Sequence, residues 1–368
     1  MKLNTTPLED IAHDLYDHAN PVTKDGFSLP RFHSNPNNPQ KPVSRYLEGN
    51  QFSTRQTPTQ VPYVTFAPDS VGDRPQSLLL QLNGYMQPST GNITDKALLQ
   101  NLPVMRALGM LGIGYAQGNR GGKNVLTRNG RYTVGHIQND VGSDISDILD
   151  VTQTAAGREL PVFLWGHSQG GQHALHILKF PEHYGLKREQ IRGVILMNAM
   201  LAPHSQMMLK TPGFITDIAL PSLGNVAKSL ITGRGLRFEG QKAFDTFVGE
   251  GNVNGLHEKR IIDGLFPDSA AFFAQTVTTG TSPSLKDTDL RDLPISVVIS
   301  ENDQLMAQDL QHDSAEYLRS LGANVAIKNI PGKHFSPLTT FTGESSERVE
   351  DIMEANRRAF EHAIQRLV

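Results

Sequence analysis

The sequence predicts an α/β protein with a mostly parallel central sheet flanked by helices. Three observations predict it. Short apolar runs recur without polar alternation, as in strands buried on both faces. Segments with apolar residues at helical spacing lie between them, which is the order of a parallel sheet. One apolar run, residues 160–165, turns sharply through Gly166-His167-Ser168-Gln169-Gly170 into a helix-forming stretch at 172–179.

The elements follow in order. Leu8, Ile11, Ala12, Leu15 and Tyr16 recur at helical spacing. Asn35-Pro36-Asn37-Asn38-Pro39-Gln40-Lys41-Pro42 is turn chemistry. Residues 1–57 therefore read as an irregular arm on the main domain. Residues 61–66 alternate and are β-prone, and Ser77-Leu78-Leu79-Leu80-Gln81-Leu82 reads as a buried strand ending at Asn83-Gly84-Tyr85-Met86. A helix is expected over 94–108 and a strand over 113–117. Ile145, Ile148, Leu149 and Val151 mark a helix over 140–156. The run that enters the Gly-His-Ser-Gln-Gly turn comes next, then the strand Gly193-Val194-Ile195-Leu196-Met197.

From residue 202 to 290 the alternation stops and helical segments dominate. Met207, Met208, Leu209, Phe214, Ile215, Ile218 and Leu220 give this stretch an apolar face. Such a face packs on the core or covers a site as a cap, whose adaptable Met and Phe side chains would line a pocket. The alternation resumes with a strand at 295–300, a helix at 314–321 that stops at Gly322, a short strand at 325–327 and an amphipathic C-terminal helix from Val349 to Leu367. The domain expectation is an arm (1–57), a core (58–201 and 291–368) and a mainly helical cap (202–290) inserted after the sixth strand.

Composition bounds the function. The chain has 368 residues, 38% hydrophobic and 19% charged, which is ample for a large folded core. A net charge of −3 and no Lys/Arg cluster give no reason to expect nucleic acid. With 0 cysteines, disulfides and thiolate-ligated metals are excluded. Residues 1–7 lack the apolar stretch of a signal peptide, and no run approaches the length of a membrane span. The reading is a soluble protein, cytoplasmic by default, although the lack of cysteine also permits export.

A strand, then G-x-S-x-G, then a helix is the context of a nucleophile elbow. The turn is tight, so small residues must stand two positions before and after the serine, and Gly166 and Gly170 do so. A serine hydroxyl needs a base to take its proton, and the base needs a third group to hold it. In parallel sheets such groups sit in loops beyond the carboxyl ends of strands. The loop after 295–300 offers Glu301 and Asp303. Asp303 is preferred because it lies where the chain has turned toward the top of the sheet. The loop after 193–197, Asn198-Ala199-Met200-Leu201, has no carboxylate. The loop after 325–327 carries His334. Two backbone N–H groups complete an oxyanion hole: Gln169, after the serine, and Tyr85, with Met86 second.

On these residues the chain resembles the α/β-hydrolase superfamily from about residue 60 to the C-terminus, the insertion excepted. The stretch Trp165-Gly166-His167-Ser168-Gln169-Gly170-Gly171 is most similar to lipase and esterase branches. The family commonly has His-Gly at the oxyanion strand end, where this chain has Asn83-Gly84. The resemblance implies a serine hydrolase of carboxylic esters acting through an acyl-enzyme on a small-molecule substrate, with no cofactor or metal. The same triad serves thioesterases, lactonases, amidases and acyltransferases, and a non-catalytic binding protein on this fold is the reading from another class. Gln117 to Asn124 does not fit a phosphate loop, so Arg120 and Lys123 read as solvated. His173 and His176 have metal-ligand spacing but no third ligand nearby.

Overall fold

The computed structural model describes residues 43–47, 50–59, 61–68, 75–84, 105, 108–115, 133–199, 207–236, 245–247, 269–278, 282–338 and 346–364. The expected helix near Leu8, the Asn35–Pro42 loop, most of the 94–108 helix, Tyr85, Met86 and the loop holding Arg120 and Lys123 lie outside them.

The described strands are β1 (Val43–Leu47), β2 (Asn50–Gln56), β3 (Pro62–Pro68), β4 (Ser77–Leu82), β5 (Met110–Tyr115), β6 (Val162–His167), β7 (Ile191–Met197), β8 (Pro294–Ser300) and β9 (Asn324–Ile330). They form one sheet in the order β1-β2-β3-β5-β4-β6-β7-β8-β9. Strands β4 to β9 pair in parallel, while β1, β2 and β3 add antiparallel at one edge. The expected α/β class is observed. Residues 43–56, expected within an irregular arm, instead form a hairpin on β3. Their polar sequence carries no apolar stripe, so only backbone pairing to β3 reveals them. With the two strands of this hairpin counted, the helical segment lies between the seventh and eighth described strands, not after the sixth.

The helices are α1 (Val134–Ala156), α2 (Gln169–Lys179), α3 (Met207–Lys210), α4 (Leu220–Thr232), α5 (Ala270–Thr278), α6 (Gln308–Ser320) and α7 (Ser346–Ala363). Side chains alternate across each strand and so fill two cores. On β6, Phe163 and Trp165 face one core, which includes Phe360 of α7, while Val162 and Leu164 face the other with Ile145 of α1 and Leu175 of α2. Trp165 and Phe360 meet edge to face with centroids 5.4 Å apart. Strands β4, β6 and β8 are buried along their whole length, the reason they read as uninterrupted apolar runs.

The expected apolar face over 207–220 is only partly inward. Phe214 and Ile218 are buried, whereas Ile215 and Leu220 are exposed. Residues Phe214–Ala219 form a π-turn, wider than an α-turn, which shifts the phase of the residues that follow. Helix α4 then buries Ser222 and Ser229 and leaves Leu223 and Ile231 in solvent.

Candidate active site

The turn after β6 is built by close approach. A Cβ on Gly166 would stand 2.6 Å from the Gly170 carbonyl oxygen, and one on Gly170 would stand 1.9 Å from the Leu82 oxygen. Both positions therefore require glycine. The second contact also brings the end of β4, where Asn83-Gly84 begins, against the turn. Asn83 is buried, and its amide donates to the Tyr115 carbonyl at 2.9 Å, tying that loop to β5. Ser168 has φ 54° and ψ −121°. A non-glycine residue held there stores strain on the order of 1–3 kcal/mol, a feature that clusters at functional sites. Its N–H donates to the Met197 carbonyl at 3.0 Å, and Gly171 N–H donates back to its own carbonyl at 3.0 Å. Gln169 is the first residue of α2, where N–H groups do not enter the helix's own ladder and the positive dipole end lies.

The loops after β8 and β9 meet beside this turn. His334 Nδ1 lies 2.8 Å from Asp303 Oδ2, both side chains buried. The other carboxylate oxygen of Asp303 accepts from Leu305 N–H at 2.8 Å and Met306 N–H at 3.2 Å. Asp303 is thus fixed from both sides, and Glu301 is exposed. The His167 ring, adjacent in sequence to Ser168, lies 4.8 Å from the His334 ring, centroid to centroid. Ser168, Asp303 and His334 are each buried. The geometry can hold an imidazole in one orientation with its Nε2 edge left for other work.

Three residues that sequence reasoning did not single out hold these loops. Asn198 follows β7 with φ 42° and is fully buried. Its Nδ2 donates to the His334 carbonyl and to Ser300 Oγ, each at 2.8 Å, and its Oδ1 accepts from Ser300 N–H at 2.8 Å. The available signal was an asparagine at a strand end, a residue tolerant of positive φ. Phe247 stacks on Phe335 at 5.0 Å and its carbonyl accepts from Phe335 N–H at 2.9 Å. Thr211 Oγ1 accepts from Ala307 N–H at 2.9 Å and donates to the Leu305 carbonyl at 3.2 Å. The segment between β7 and β8 therefore touches both the Asp303 loop and the His334 loop.

Burial governs the histidines around the site. His167 is held well below the ordinary histidine value by burial first and by the neighbouring His334 second, against its hydrogen bond to the His334 backbone. Along α2, burial pushes His173 down to about 3 and His176 down to about 4, with neighbouring histidines adding to both. His176 Nδ1 is 2.7 Å from the Tyr184 hydroxyl, whose own titration burial pushes up. Among the described residues no cluster of three His, Asp or Glu could hold a metal, and no helix is long and apolar enough to cross a membrane.

The comparisons with known proteins agree with this architecture. The esterase rPPE shares 13% identity over 97% of this chain and 96% of that one, with a TM-score of 0.52. A bacterial heroin esterase shares 16% identity over 86% of each chain, with a TM-score of 0.50. A soluble variant of monoglyceride lipase from Saccharomyces cerevisiae shares 15% identity over 88% of this chain and 95% of that one, with a TM-score of 0.49. For the two esterases, at these identities, the likeness is one of fold. No curated protein matches the sequence. The profile of the Hydrolase_4 family, described as serine aminopeptidase, S33, matches residues 117–333, more than half of the chain. The elbow, the parallel sheet and this match lead to one assignment: the chain belongs to the Hydrolase_4 family of α/β-hydrolases.

Proposed function

We propose that the protein hydrolyses carboxylic esters through an acyl-enzyme, with Ser168 as nucleophile, His334 as general base and Asp303 as the group that orients it. The observation that carries this reading is the buried 2.8 Å pair between His334 Nδ1 and Asp303 Oδ2, held beside the strained turn at Ser168. In this chemistry Ser168 Oγ attacks the acyl carbon as His334 Nε2 takes its proton. The carbonyl oxygen becomes an oxyanion that Gln169 and Tyr85 N–H groups receive. Collapse expels the alcohol, which takes the proton from His334. Water, deprotonated by the same imidazole, then releases the acid and restores Ser168. Asp303 keeps its negative charge throughout and stabilises the imidazolium.

Residues 202–290 act as a cap on the core formed by 58–201 and 291–368, whose sheet the hairpin at 43–56 extends. The contacts of Thr211 and Phe247 with the two site loops support that role. A second reading, amide cleavage by the same groups, is favoured by the description of the matched family as serine aminopeptidase.

The test is labelling with a fluorophosphonate probe, with p-nitrophenyl esters and p-nitroanilides as parallel substrates. Labelling that vanishes in Ser168→Ala, with ester turnover falling about 10⁶-fold in Ser168→Ala and in His334→Ala, is expected. Turnover retained in either variant overturns the assignment. Anilide turnover exceeding ester turnover transfers it to the second reading.

A further inference from the structure

The His334 side chain is held by Asp303, but its backbone is held by something else. Its carbonyl oxygen lies 2.9 Å from His167 Nε2 and 2.8 Å from Asn198 Nδ2. A carbonyl only accepts, so both side chains donate, and His167 must carry its proton on Nε2. We propose that His167 and Asn198 are positioning residues that clamp the His334 carbonyl and so fix the base relative to the turn at Ser168. This inference rests on the catalytic reading of that same site.

The two donors come from separate strands. His167 is the last residue of β6, adjacent to Ser168, and its ring also packs against His334 and Phe335, with centroids 4.8 and 5.6 Å away. Asn198 follows β7 and reaches across to β8 as well, where its carboxamide pairs with both the N–H and the hydroxyl of Ser300. Its own N–H donates to the Val298 carbonyl at 2.9 Å. Each member is rigid. Both side chains are buried, so neither donor is shared with solvent, and a polar contact inside a protein is firmer than one in water. The left-handed backbone of Asn198 aims its amide at the neighbouring loop, and an asparagine tolerates that conformation.

The consequence is a base anchored at both ends. Asp303 limits rotation of the ring, and the two donors limit movement of the peptide from which the ring hangs. A glycine stands two residues before His334, Gly332 at φ 122°, so the loop has a flexible point that the clamp opposes. A carboxylate at position 198 would turn an oxygen toward the His334 carbonyl, replacing attraction with repulsion.

The experiment compares His167→Phe, His167→Gln and Asn198→Asp with the wild type and with Ser168→Ala. Phe keeps the ring contact and removes the donor. Gln returns an amide N–H at the same distance along the side chain. Two readouts are taken: kcat and KM on an ester, and the low-field proton resonance of His334 Nδ1–H. The expected result for His167→Phe and Asn198→Asp is a kcat reduced on the order of 10- to 100-fold with KM changed less than about threefold, since misplacing a catalytic group acts on the chemical step. Their low-field resonance is shifted or broadened. His167→Gln recovers both readouts. Ser168→Ala loses turnover but keeps the resonance, so loss of the hydrolase reading and loss of the clamp are separated. An unchanged resonance in both His167→Phe and Asn198→Asp overturns the inference, as does a Gln variant no better than Phe.

Discussion

Gly170→Ala is the perturbation with the least room for compensation. The added methyl would lie 1.9 Å from the Leu82 oxygen and 2.6 Å from the Leu82 carbonyl carbon. A relaxed carbon–oxygen contact is about 3.3 Å, so the groups must separate by roughly 1.4 Å. Neither can move alone. Leu82 is paired in register with Gly166 on β6, and Gly170 lies in the first turn of α2, fixed by the chain leaving Ser168. The obstruction is backbone, not the end of a flexible side chain. Overpacking of this kind costs about 3 kcal/mol or more. Gly135 in α1 and Gly224 in α4 are the controls, because a Cβ at either meets nothing within 4 Å. Alanine there should stabilise by about 0.5–1 kcal/mol, the helix-propensity difference. Urea unfolding of the three variants gives the midpoints, and the rate of fluorophosphonate labelling reports the turn itself. Gly170→Ala with a wild-type midpoint and labelling rate would refute the close-approach argument.

Three further outcomes are expected. Asp303→Asn should lower kcat about 10⁴-fold while leaving the fold intact, because the amide cannot hold the imidazole in the required tautomer; circular dichroism with ester kinetics checks it. Phe360→Ala should cost about 3–5 kcal/mol by opening a void against Trp165, read as a fall in the urea midpoint at unchanged slope. Stability should rise with pH from about 4 to about 6.5. Unfolded histidines bind protons there that buried His173 and half-buried His176 refuse, so up to about 1.4 kcal/mol per pH unit is lost for His173 as pH falls, and less for the partly solvated His176. Urea midpoints at several pH values should show a shallower slope in His173→Gln, and an equal slope would contradict burial as the cause.

The parts of the fold that were legible were those whose burial is written in apolar runs. Strands β4, β6, β7 and β8 read as strands because both faces are covered, and the glycines around Ser168 read as a turn because the turn admits nothing larger. The hairpin at 43–56 was illegible because pairing, not side-chain pattern, makes it a strand. Helix α4 inverted the usual signal, with serines inward and leucines outward, after a π-turn that no period of 3.6 anticipates. Among the candidate site residues, the meeting of Asp303 with His334 beside the turn at Ser168 was legible from loop order. Asn198 had been noted only for lacking a carboxylate, since its part depends on which carbonyls lie across the sheet top, information that is not local to the sequence.

The partners that fix His334 are far apart along the chain: 31 residues to Asp303, 136 to Asn198 and 167 to His167. The turn at Ser168 is synthesised before its base, His334, which lies far along the chain from it. At a ribosomal pace of about 5–20 residues per second, roughly 10–30 s separate the two. On the proposed chemistry, a nascent chain carries a nucleophile without a base for that interval. A chain that stops before residue 334 shares that condition, so on this chemistry hydrolysis waits until the loop after β9 has been made.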